Sequence, residues 1–208
     1  MQEKDTPPKV ESKRSFIEAA RRAQIIDCAT EAIAELGYAG ASLAQIAKRA
    51  GVSTGVILYY FRSKEELVQE VQLNAVTFFD KFVSDRLDRT SPMKALHSLI
   101  NAAVAVSTID QNKRMAVYNI FVAGLSDCNA PKFDPAVTEP RRAQIVALLE
   151  WGQQTGEFRP FDVPSMVLGI TGILDLIPWQ VRARPDIDLD LYAKELAELF
   201  ERALRNDK

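Results

Sequence analysis

Residues 42–61, SLAQIAKRAGVSTGVILYYF, constrain the fold more tightly than any other segment of the chain. Ser42 precedes an apolar run at helical spacing, and Gln45 follows three residues on as the reciprocal member of a capping box, so a helix is expected over Leu43–Ala50. Gly51, Val52 and Ser53 leave room for a tight turn, after which a second short helix runs from about Thr54 to Phe61. Two helices joined by three residues must cross steeply and pack closely. Ala47 is small where the backbones approach, and Gly51 stands where the chain leaves the helix in a left-handed conformation that glycine adopts without penalty. Val52 and Ile57 supply the apolar contact within the pair, Ile46 faces the preceding helix, and Ser53 caps the last one.

The rest of the chain reads as helix in the same terms. Ser15 with Glu18 opens a first helix, whose apolar residues Ile26, Ala29, Ile33 and Leu36 recur at three and four up to Gly37. Ser63, with Glu65 and Glu66 in the first turn, caps a long fourth helix. Pro92 starts a fifth, and further helices are expected over about 112–125, 141–154, 163–181 (kinked near Pro178) and 190–205. The three prolines of 126–140 mark a loop. No segment alternates at period two. The fold class is therefore all-α: a flexible arm over 1–14, a three-helix helix-turn-helix module over 15–64, and a body of about six helices over 65–208.

Charge separates along the same line. Residues 1–64 carry ten Lys/Arg against seven Asp/Glu, net +3, and residues 65–208 carry sixteen against twenty-one, net −5. A mildly basic front on an acidic body suits a chain whose front meets phosphate. The third helix leaves Thr54, Gly55, Val56, Tyr59 and Tyr60 on or near one face, where tyrosine hydroxyls can reach phosphate and rings can pack on thymine methyls. The alternative for Tyr59 and Tyr60 is completion of a small core. Lys64 stands just beyond, placed for the backbone of a duplex.

With GVSTGVILYYFRSKEEL in place, residues 20–67 resemble the TetR family of regulators, most specifically in IAKRAGVS and YYFRSKEEL. The resemblance implies an all-helical homodimer with an N-terminal DNA-binding module and a C-terminal body that takes a small-molecule effector. It implies DNA contacts at Ser42, Thr54, Gly55, Tyr59, Tyr60 and Lys64, to which the residue reading adds Ser53 and Val56. Leu58 departs from the tyrosine common at that position and cannot donate to phosphate. The stretch GILDLIPWQVRARP (172–185) resembles the C-terminal helix of the BetI group within the family.

In the body, Phe78, Phe82, Ile100, Met115, Tyr118, Val122 and Trp151 converge if the fourth to seventh helices form a bundle, and the alternative for each is ordinary core. Asn119 interrupts an apolar run and needs a partner. Asp175 interrupts an apolar helix; it is read either as a counter-ion for a cationic effector or as an ion pair, with Arg182, Arg184 or a residue across a dimer. These nine residues are the expected effector pocket, with the fourth helix as the one continuous link to the DNA module. Ile170, Ile173, Leu174 and Ile177 on the eighth helix, and Leu189, Tyr192, Leu196, Leu199, Phe200 and Ala203 on the ninth, supply the expected dimer stripes, part of each facing its own subunit.

The exclusions are as informative. One histidine, no phosphate-cradling glycine loop and no nucleophile elbow leave no catalytic site, no cofactor and no metal to expect. Cys28 and Cys128 form no disulfide framework. The polar N-terminus is no signal peptide, and the apolar stretch Met166–Trp179, broken by Asp175 and Pro178, is too short for a bilayer, so a cytoplasmic protein with no membrane partner is expected. The function expected is a repressor released from palindromic double-stranded operator DNA by an effector. The rival is a structural DNA-binding protein with no ligand response, and the size of the body argues against it.

Overall fold

The computed structural model describes residues 9–126 and 135–206, which form α1 (Lys9–Gly40), α2 (Leu43–Ala50), α3 (Thr54–Tyr60), α4 (Lys64–Ser84), α5 (Pro92–Val106), α6 (Gln111–Ser126), α7 (Pro135–Gln154), α8 (Val163–Ala183) and α9 (Leu189–Leu204). The all-α expectation holds. Local signals account for most boundaries. The hydroxyls of Ser42, Ser53, Ser63 and Ser91 accept amide protons three residues on, capping α2 to α5. Gly51 lies at φ 66°, ψ 33°, and the Val52 amide donates to the Ala47 carbonyl at 3.0 Å, closing the turn.

Three expectations change. Residues 9–14, read as part of a flexible arm, belong to α1; residues 1–8 lie outside the described residues. Gly37 (φ 72°) breaks the regular part of α1, and one further turn follows to Gly40. The expected loop over 126–140 is shorter, because α7 begins at Pro135; proline is compatible with a first helical position, and Pro140 in the second turn removes a single ladder bond. Residues 127–134 and Cys128 lie outside the described residues. α8 runs through Pro178, as expected, and ends at Ala183.

Two large cores form. One joins α1, α2 and α3 with the start of α4 (Leu67, Val68, Val71) and with Met115, Ala116 and Ile120 of α6. The other joins α5, α7, α8 and α9, with Ile100, Leu149, Ile170, Ile177 and Leu204 fully buried. A smaller cluster of Ala75, Phe79 and Val106 lies between α4 and α5. Phe158 carries an isolated antiparallel bridge to Arg205 that ties the α7–α8 connection to the end of α9.

By length and composition, one described helix, α8, could cross a membrane. Its Val167, Ile170, Leu174, Ile177 and Val181 are buried in the second core, while Leu168, Leu176 and Trp179 are exposed, with Gly169 and Gly172 between them. The stripes read for α8 and α9 therefore divide. Ile170, Leu174, Ile177, Leu196 and Phe200 are buried in the second core, whereas Leu199 of α9 faces outward, as does the neighbouring Leu191.

Gln72, midway along α4, is fully buried, and neither its amide nitrogen nor its oxygen has a partner among the described residues. A buried polar group left unpaired costs ~1–3 kcal/mol, whereas an apolar group of similar shape does not. Gln72→Leu is expected to raise the unfolding free energy by about that amount in urea titration. A loss of stability would mean that the amide is paired in solution.

Candidate functional site

The helix-turn-helix presents one outward face. Ile57 anchors α3 in the core, with Val56 and Tyr60 half-buried beside it. Thr54, Gly55, Leu58 and Tyr59 are exposed, Tyr59 by 72%. The Tyr59 and Tyr60 rings meet edge to face at 5.0 Å, which steadies the exposed ring. Tyr60 thus belongs partly to the core and Tyr59 does not. Ser42 and Ser53 are exposed, and their hydroxyls accept from the Gln45 and Val56 amides at 3.2 and 3.3 Å. Each hydroxyl still has its proton to donate.

Gly55 has no use inside the protein. A Cβ there would meet only Ser53 Oγ, at 3.7 Å, an ordinary contact. Glycine within a helix is destabilising by roughly 0.5–1 kcal/mol relative to alanine, so the missing side chain matters only to something approaching from outside.

Lys64 is tied more closely to its own chain than its position in the sequence implies. Its ammonium donates to the Tyr38 carbonyl at 2.6 Å and sits 4.1 Å from the centre of the Tyr38 ring, and burial pushes its pKa down. It fastens the start of α4 to the end of α1, with two protons to spare. Arg62, which sequence reasoning passed over, is exposed in the turn before α4, and its amide donates to Glu66 Oε2 at 2.8 Å. The signal for it was a cation immediately ahead of the Ser63 cap.

Among the described residues, two sizeable cavities lie in the body. The larger, about 320 Å³, is lined by Val83, Leu87, Leu99, Ile145, Leu148 and Trp151 among others. The smaller, about 160 Å³, is lined by Val76, Phe79, Val117, Tyr118, Phe121 and Trp179 with Arg114 and Asp175. Asp80 and Arg141 line both. Arg141 Nη2 binds Asp175 Oδ1 at 2.9 Å, so the ion pair read for Asp175 exists, with α7 rather than with Arg182 or Arg184. Burial pushes the Asp80 carboxyl up in pKa, and the facing Arg141 opposes that rise.

Of the nine expected pocket residues, Trp151 lines the larger cavity, and Tyr118 and Asp175 line the smaller. The others lie elsewhere. Phe78 is exposed beside Lys113, Phe82 lies under the Arg86 guanidinium at 3.5 Å, Ile100 and Met115 are core, and Val122 is exposed. Helix geometry is the reason: Val76, Phe79, Asp80 and Val83 share the face of α4 that lines the cavities, and Phe78 and Phe82 point off it. Asn119 donates its amide to the Ile33 and Ala34 carbonyls at 2.8 and 3.4 Å, just before the break in α1.

α6 consequently has two working faces. Arg114, Val117, Tyr118 and Phe121 line the smaller cavity, while Met115, Ala116, Asn119 and Ile120 hold α1 and the first core. α4 is not the sole continuous element between cavity and module.

An α3 anchored by Ile57 and presenting Thr54, Gly55, Leu58 and Tyr59 outward from a three-helix core defines a helix-turn-helix. The model for bacterial regulatory proteins of the tetR family matches residues 25–71, which run from α1 through the helix-turn-helix into α4. The chain is 44% identical over 71 residues to the HTH-type transcriptional regulator BetI of Escherichia coli O139:H28; the match covers 34% of this chain and about a third (36%) of that relative's length. Over nearly the whole chain it is similar in structure to the fatty acid degradation regulator FadR of Bacillus halodurans (TM-score 0.72, 26% identity, covering 94% of this chain and 96% of that one). It shares its fold with AibR, solved in complex with isovaleryl coenzyme A and operator DNA (TM-score 0.72, 18% identity, 86% and 97% covered).

Proposed function

We propose that the protein is a homodimeric transcriptional repressor, released from palindromic operator DNA in the cytoplasm when a small molecule enters the body. The observation that carries this reading is the outward face of α3, where Gly55 and Tyr59 serve nothing within the chain. In this reading the start of α3 enters the major groove. Thr54, Gly55, Val56 and Tyr59 meet base edges or sugars, Ser42, Ser53 and Tyr60 bind phosphate, and Lys64 does so with the protons that Tyr38 leaves free. The functional boundary falls near residue 64, between the module and the body. The dimer forms through the outward faces of α8 and α9, which gives α8 its covering without a membrane.

Coupling runs through α4 and α6 together. A ligand wedged against Val76, Phe79, Val117 or Tyr118 shifts both helices, and Asn119 and the Met115–Ile120 face carry the shift to α1. Such a ligand must bind the DNA-incompetent arrangement more tightly, and operator DNA then weakens the ligand by the same factor. The two cavities favour this account over a structural DNA-binding protein with no ligand response.

Gly55→Leu tests the assignment of the face. The protein is expected to fold and dimerise normally, because residue 55 is exposed and a Cβ there makes only an ordinary contact with Ser53 Oγ. Its operator affinity, measured by fluorescence anisotropy, is expected to fall at least a hundredfold, while the circular dichroism melt is unchanged or higher. Unaltered DNA affinity would place the contact surface elsewhere.

A further inference from the structure

Arg114 is the residue of the body that the fold explains least. It opens the inner face of α6 and lines the smaller cavity, and its guanidinium rests on the Phe79 ring at 4.1 Å. Its Nε is buried without a hydrogen-bond partner among the described residues, and no carboxylate of the described residues lies within ion-pair distance of it. The neighbouring carboxylates are engaged or offset: Asp175 is bound to Arg141, and Asp80 faces Arg141. Burial, with Arg141 acting in the same direction and Asp175 against it, pushes the Arg114 pKa down to about 10, so the group is still charged at neutral pH. A planar fork of N–H donors held in an apolar cavity matches the two oxygens of a carboxylate.

We propose that the effector is an amphipathic monocarboxylate, its carboxylate paired with Arg114 and its apolar body lying against Phe121, Tyr118 and Trp179 in the smaller cavity. This rests on the reading of that cavity as the effector site. Arg141 is shared by Asp175, which it binds, and Asp80, which it faces, so neither carboxylate is paired with Arg114 and the arriving anion supplies its partner. A cationic head would meet two guanidinium groups across the same space. A longer apolar body extends past Arg141 and Asp80 toward the larger cavity.

The chain has two tryptophans, and each cavity holds one, Trp151 in the larger and Trp179 in the smaller, so intrinsic fluorescence reports entry into either. The full-length dimer is titrated with octanoate, octanamide and octylammonium, which share an apolar chain and differ in the charge of the head. Octanoate is expected to bind at least tenfold more tightly than octanamide, and octylammonium more weakly than both. In Arg114→Met the octanoate advantage should vanish while octanamide binding stays as it was, and the unliganded protein should melt at a higher temperature because a buried unpaired cation is gone. Arg114→Lys, which keeps the charge without the fork, should retain part of the preference. Equal binding of octanoate and octanamide to the unmodified protein overturns the inference, as does an octanoate preference that survives in both variants. Neutral Nile red separates this failure from that of the cavity. If the dye binds the unmodified protein and not Val117→Trp, which fills the smaller cavity, while octanoate shows no preference, the anion assignment alone is wrong; if neither dye nor octanoate binds, the cavity reading falls with it.

Discussion

Replacing Gly172 by arginine is expected to give a folded monomer whose operator affinity is lower by about two to four orders of magnitude, the factor that linking two binding modules contributes. The outward face of α8 carries Leu168, Gly169, Gly172, Leu176 and Trp179, with Leu168 63% exposed in the protomer. A Cβ added at Gly169 or Gly172 meets nothing within 4 Å, so neither glycine is required by its own chain. Two glycines one turn apart among exposed leucines let a second helix approach closely, and a charged side chain at that point would be desolvated on pairing. Arginine has the higher helix propensity, so the protomer itself should not suffer. Sedimentation velocity reads the assembly, and anisotropy with operator DNA reads the affinity. An intact dimer would move the two-fold axis away from α8.

Gly152→Ala is expected to cost about 3 kcal/mol or more, at the upper end of overpacking effects. A Cβ at residue 152 would lie 2.0 Å from Phe158 Cδ2 and 2.5 Å from its Cγ. The ring is fully buried and cannot swing aside, because the backbone on both sides of it is fixed. The Phe158 amide donates to the Gly152 carbonyl at 2.9 Å, the Arg159 amide to Leu204 at 2.8 Å and the Asn206 amide to Glu157 at 3.1 Å. Urea unfolding should show a lower midpoint without any direct change to α3. A stability within 1 kcal/mol of the parent would mean that Phe158 has somewhere else to go.

The helix-turn-helix was legible because its determinants are local. Serine caps, a glycine at the turn and a seven-residue helix leave few alternatives, and these residues stand where the pattern places them. The body was less legible because its determinants are pairs distant in sequence. Asn119 announced a need for a partner, but nothing in a single sequence says that the partner is the Ile33 and Ala34 carbonyls. Nothing in the sequence sets Asp80, Arg114 and Arg141 apart, and only the packing of α4, α6 and α7 gathers them around the two cavities. Periodicity gave the apolar stripes of α8 and α9 without saying which side meets the same protomer. Hence Leu196 and Phe200 were read with the dimer stripe although they are buried in their own core. The proposed monocarboxylate effector lies in the same category, since that proposal depends on which guanidinium packs without a carboxylate among the described residues.

The most direct test of the account is selection of DNA by the unmodified protein from a pool of random duplexes, followed by native mass spectrometry on the enriched sequence. The account predicts an inverted repeat whose half-sites lie about one helical turn, ~34–36 Å, or a multiple of it apart, occupied by protomers in pairs, with the Gly55→Leu protein enriching nothing. Enrichment of a single asymmetric site held by one protomer, or of no sequence at all, would contradict it.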